Sequence, residues 1–93
     1  MKPEELLEKV SDRKSFMEFA WALIHDREEA ERIEREDPQL WQWGGANNWQ
    51  NSSISAFLSA AVAHFENPSK MTGDERPTWR DVAEFLYMGK IYE

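Results

Sequence analysis

Between residues 38 and 65 this chain carries no Asp, Glu, Lys or Arg, although 31% of its 93 residues are charged. A charge-free run of that length in so polar a protein has to be partly enclosed by the rest of the chain. It divides in two. Residues 38–51 hold Trp41, Trp43 and Trp49 among Gly, Asn and Gln, a composition of loops. Residues 54–65 are the most apolar helical pattern present: Ile54, Phe57, Leu58, Ala61 and Phe65 form a stripe, with Val62 beside it and Ala56, Ala60 and Ala63 along another side. A helix apolar on most sides is expected in the middle of a bundle, so this one is read as central.

The flanks are charged and amphipathic. Residues 3–10 form a short first helix: Pro3 suits a first turn, Glu4 and Glu5 suit the positive end of the helix dipole, and Leu6, Leu7 and Val10 give one apolar edge. Ser11 or Asp12 caps a long helix over Arg13–Glu36, whose stripe is Phe16, Phe19, Ala20, Leu23 and Ile24, widened by Met17 and Trp21. Its second half is a solvated run in which Glu28–Arg32 and Glu31–Arg35 are spaced as i,i+4 ion pairs and only Ala30 and Ile33 are apolar, until Pro38 ends it. Gly44, Gly45, Asn47 and Asn48 tolerate positive φ in the loop that follows. Asn51, Ser52 or Ser53 caps the third helix, residues 67–77 carry turn chemistry, and Thr78 with Asp81 makes a capping box for a last helix. Trp79, Val82, Ala83, Leu86 and Tyr87 are its buried stripe, Gly89 a C-terminal stop, and Ile91 and Tyr92 an apolar tail. No segment alternates as a strand would. The expected fold is all-α: a small helical bundle of three main helices plus a short N-terminal helix, in a single domain.

Eleven basic against eighteen acidic residues give a net charge of −7, which opposes nucleic-acid binding and favours a partner with a basic surface. No apolar run is long enough to span a membrane. The absence of Cys removes thiolate chemistry and suits a reducing compartment, so a cytoplasmic location is expected. No cofactor is implied.

Trp49, Asn51, Ser52, Ser53 and Ile54, then Phe57, Leu58 and Ala61, are followed by Pro77, Thr78, Trp79, Arg80, Ala83, Leu86 and the ending Ile91, Tyr92, Glu93. With Ser15, Phe16 and Phe19 in the second helix, this pattern resembles a family of small bacterial domains of unknown function. The resemblance spans the chain from about Ser11 onward and implies a compact all-helical domain. It transfers no activity and no catalytic residue.

Three readings of function follow. Trp41 and Trp43 stand two apart in a neutral loop, so at least one of them lacks a core to enter. Exposed Trp is a common anchor of protein interfaces. The leading expectation is therefore a non-enzymatic, immunity- or regulator-like protein-binding module whose partner-binding residues are Trp41, Trp43, Asn47 and Asn48. Trp49 and Trp79, beside helix starts, are expected in the core, with Trp21 joining them. The enzyme alternative reads Glu4, Glu5 and Glu8 with Glu34, Glu36 and Asp37 as carboxylates holding Mg²⁺ against a nucleotide, as in all-helical pyrophosphohydrolases. Solvated helix faces explain the same residues, and although His25 and Glu29 are spaced i,i+4, there is no HExxH motif or comparable pair of metal ligands. The third reading is a homodimer that buries the Trp loop.

Overall fold

The computed structural model describes residues 2–66 and 76–92. Four α-helices appear in chain order: α1 (Pro3–Leu7), α2 (Arg13–Glu36), α3 (Ile54–Phe65) and α4 (Trp79–Ile91), with a 3₁₀ turn at Ala46–Asn48. There is no strand among the described residues, so the protein is all-α. Nor is any helix among them long and apolar enough to cross a membrane. The turn expected within 67–75, and Glu93, lie outside the described residues.

The helix starts follow local chemistry. Asp12 accepts the Ser15 N–H at 2.8 Å, while the Ser15 hydroxyl oxygen accepts the Asp12 N–H at 3.1 Å, a reciprocal cap for α2. The Ser15 N–H and then the Ser15 hydroxyl, both donating to the Asp12 carboxylate, hold it below its ordinary pKa. Ser53 caps α3 through the Ala56 N–H, and Thr78 with Asp81 closes the expected capping box on α4. Gly89 is no stop: it lies inside α4, and a Cβ there would sit 2.7 Å from the Phe57 ring. Its smallness is what lets α3 and α4 pack closely.

The core is narrow. Leu7, Val10, Phe19, Leu23, Ala30, Ala46, Trp49 and Ala83 are buried, with Phe16, Ile33, Trp41, Phe57 and Leu86 packed partly against them. Helix α4, not α3, is central, packing against α1, α2 and α3. Ala46 and Trp49 fill the flank of α2 that a central α3 would need, so α3 lies outside, held by α4. Two of the expected core tryptophans are also displaced. Trp21 is 56% exposed, with Met17 and Ile24 also outside. Trp21 and Met17 each stand two residues from buried Phe19, about 200° round the helix, so they cannot share its face. Trp79, 43% exposed, opens α4 and lies over Phe16 at a centroid distance of 5.3 Å instead of entering the core. The ion pairs of α2 also differ from the expected ones, running Arg27–Glu31 and Arg32–Glu36.

Candidate functional site: the tryptophan loop

The loop from α2 to α3 is a turn mounted on a polar anchor. After Pro38 the chain reverses at once, because the Leu40 N–H donates to the Asp37 carbonyl at 3.1 Å. Within that turn Leu40 and Trp43 stand three apart and both project outward, Trp43 at 92% exposure, while Trp41 is half-buried against the core. One of the two paired tryptophans does lack a core to enter.

The anchor starts at Glu34. Its carboxylate takes two hydrogen bonds from Arg27, at 3.0 and 3.3 Å, and a third from the Ala46 N–H at 2.9 Å. Gly45 N–H donates to the Trp49 carbonyl at 2.7 Å, a closeness that forbids a side chain: a Cβ on Gly45 would lie 2.5 Å from that oxygen. Neither loop glycine has positive φ. Asn47 (φ 54°) and Asn48 (φ 65°) supply the left-handed turn, a conformation that Asn adopts more readily than most residues.

Three groups converge on Asp26, two from that turn and one from α4. Asn47 Nδ2 donates to Oδ1 at 3.2 Å, and Trp49 Nε1 and Lys90 Nζ donate to Oδ2 at 2.9 and 2.7 Å. Lys90 is only 3% exposed. Its ammonium and the Arg27 guanidinium each lie 5.3 Å from the centre of the buried Trp49 ring, within cation–π range. Past Trp49, the Gln50 N–H donates to the Lys90 carbonyl, and Asn51 Nδ2 donates to the carbonyls of Gly89 and Tyr92 at 3.0 and 2.9 Å. Asn51 thus satisfies the open C-terminal end of α4. The segment Trp49–Gln50–Asn51 is a clasp between α2 and α4.

Two depressions flank the loop. Beside Trp41 and Trp43 is a shallow one of about 270 Å³ that includes Glu34, Gln50 and Ser52. On the other side an open groove of about 1590 Å³ runs past Glu4, Met17, Trp21, His25 and Asn48, with Lys90 and Asp26 on its wall. The Trp21 and His25 rings lie 5.8 Å apart there. Burial chiefly, and then Glu4 and Asp26, raise the Tyr87 hydroxyl above its ordinary pKa.

The four residues expected to form one binding patch therefore divide. Trp43 and Asn48 face solvent, Trp41 packs inward, and the Asn47 amide is consumed by Asp26 and by Glu29 at 3.0 Å. Leu40 joins Trp43 instead. The i,i+3 spacing inside a Pro-initiated turn was the signal for it. Asp26 and Lys90 also had a signal: Asp26 keeps helical register with Phe19, Leu23 and Ala30, and Lys90 with Ala83 and Leu86, so each charge falls on a buried stripe.

Four of the six carboxylates of the enzyme alternative have separate partners. Glu8 pairs with Arg80 at 3.2 Å, Glu34 with Arg27, and Glu36 with Arg32, while Asp37 caps the turn. Among the described residues no group of three His, Asp or Glu could hold a metal ion. His64 is buried, 3.4 Å from Glu84 and edge-on to Phe65 and Tyr92. No protein-family model, no curated protein and no solved structure matches the chain.

Proposed function

We propose that this chain is a non-enzymatic protein-binding module, of the kind that inhibits or regulates a basic partner, with Trp43 as its anchor. The observation that carries the reading is the 92% exposure of Trp43 in a turn whose other tryptophan packs inward. A tryptophan has only two side-chain torsions to order, so an exposed one loses little conformational freedom on binding and gains a large apolar contact. Leu40 is exposed in the same turn, and the exposed carboxylates of Glu28, Glu31 and Glu36 on α2 and of Asp37 at its C-cap lead into that turn, so a basic partner would be attracted to this part of the chain. Trp41 and Asn47 hold the turn in place, and Asn48 lies behind it. This reading uses no cofactor and no nucleic acid, and places the Cys-free chain in the cytoplasm. The likeness to small bacterial helical domains of unknown function belongs to the same proposal.

The test is a comparison of the purified chain with its Trp43→Ala variant as baits, identifying captured proteins by mass spectrometry and measuring association with the one enriched most. Trp43→Ala should change the stability measured by thermal melting by no more than about 0.5 kcal/mol, as for an ordinary surface change. It should weaken binding by about 2 kcal/mol or more, some thirtyfold, as loss of an anchor residue does. The on-rate of the intact chain should fall steeply as salt is added. A partner that binds the variant equally well, or associates at a salt-independent rate, refutes the proposal.

A further inference from the structure

A second surface stands apart from the tryptophan loop. On α3, Ile54 is 81% exposed and Leu58 and Val62 are each about half exposed, although all three are aliphatic and spaced four apart. Among the described residues α3 packs against α4, through the side that buries Ala60, Ala61 and His64, and makes no comparable contact with α1 or α2.

We propose that this stripe is the contact of a symmetric homodimer, with α3 of one copy crossing α3 of the other at Leu58. Charge favours this face for a second copy. Two copies of a chain with net charge −7 repel each other least where neither presents a charge, and among the described residues α3 is the one α-helix without Asp, Glu, Lys or Arg. Spacing supports the same occupant. Ile54 and Val62 stand equally far on either side of Leu58, so a two-fold axis at Leu58 sets Ile54 of each copy toward Val62 of the other, the self-complementary pattern that such an interface requires. Residues four apart make a ridge, and two such ridges interlock in the commonest mode of helix packing. The antiparallel arrangement also brings the Glu66 carboxylate, just past the C-terminal end of one α3, toward the N-terminal turn of the other, where negative charge is favoured. A 12-residue helix is about 18 Å long. The contact therefore falls at the small end of protein interfaces, and the dimer is weak and reversible.

Sedimentation of the full chain from micromolar to millimolar concentration should show a monomer passing reversibly into a dimer. Added salt should strengthen the dimer by screening like charges, the reverse of its effect on a basic partner. Leu58→Glu sets two carboxylates face to face and should weaken association more than about a hundredfold, while the melting temperature of the dilute monomer is unchanged. Trp43→Ala should leave the dimer intact, which separates this proposal from the preceding one. Because the natural chain has no cysteine, single thiols report the geometry. Leu58→Cys should form an intermolecular disulfide under mild oxidation. Ile54→Cys should cross-link to Val62→Cys in a mixture but not to itself. A chain monomeric throughout, a Leu58→Glu variant that dimerises normally, or a Leu58→Cys variant that stays reduced overturns the proposal. A Leu58→Glu monomer that melts lower also does so, because the stripe would then be covered by its own chain.

Discussion

Asp26 is the residue through which loop, α2 and α4 meet, and its loss should exceed that of any one donor. Asp26→Ala leaves the Lys90 ammonium buried without its carboxylate, a loss of about 3–5 kcal/mol for a broken buried pair. Lys90→Met keeps an unbranched side chain in the same space and leaves Asp26 still accepting from Trp49 and Asn47, so it should cost clearly less. Urea denaturation of the two variants checks the order. Equal losses would mean that the pair alone, and not the three-donor cluster, accounts for the role of Asp26. Tyr87 gives the pH dependence. Burial, with help from Glu4 and Asp26, favours its neutral form and raises its pKa above the ordinary 10.0. Stability from keeping the hydroxyl neutral is present below pH 10 and is lost as pH rises through the raised folded-state value. The melting temperature should therefore fall above about pH 10, and fall less in Tyr87→Phe. Identical alkaline profiles would refute that assignment.

At the scale of elements, the α3–α4 contact is set by one glycine. Gly89→Ala would gain about 1 kcal/mol of helix propensity if the site were open. Its Cβ would instead meet the Phe57 ring at 2.7 Å, and that ring is stacked on Trp49 with centroids 6.3 Å apart, so it has little room to retreat. Overpacking of this kind costs about 1–3 kcal/mol, so the variant should be the less stable protein by thermal melting. A rise in melting temperature would show that α3 and α4 separate easily. The helix ends need no such tertiary information. Asp12, Ser53 and Thr78 all cap as their local sequence indicates, because a cap is a hydrogen bond to an N–H two or three residues on. Pro38 likewise stops α2 by removing a donor and constraining the residue before it. Residues near the start of α3 and the ends of α4 serve this same scaffold: Trp49 and Asn51 clasp α4, Thr78 caps it, and Tyr92 meets both Asn51 and His64.

The whole molecule is flat and elongated, 45 × 27 × 17 Å with a Cα radius of gyration of 14.0 Å. A 93-residue globule would measure about 12 Å. A thin body encloses little, and Phe19 is the one large side chain among the described residues that is fully buried. The apolar residues that find no room inside then emerge as the Trp43 turn and the α3 stripe. Opposite salt dependences should distinguish these two surfaces, as the electrostatics of a net charge of −7 require. The sequence by itself determined the helices, their caps, the loop between them and the excess of acid, because each depends on neighbours a few residues away. Which apolar face goes inward was legible only in part. Periodicity marks a stripe on α3 but does not say whether one helix or several will cover it, and the stripe drawn on α2 was too wide by Met17, Trp21 and Ile24. The tertiary structure decided that α4 is central, that Trp49 is buried while Trp43 is not, and that Asp26 and Lys90 lie 64 residues apart in sequence yet 2.7 Å apart in space. Those outcomes turn on which long-range neighbour packs against a face. Here the short side chain of Ala46 and the ring of Trp49 occupy the flank of α2 and leave α3 outside.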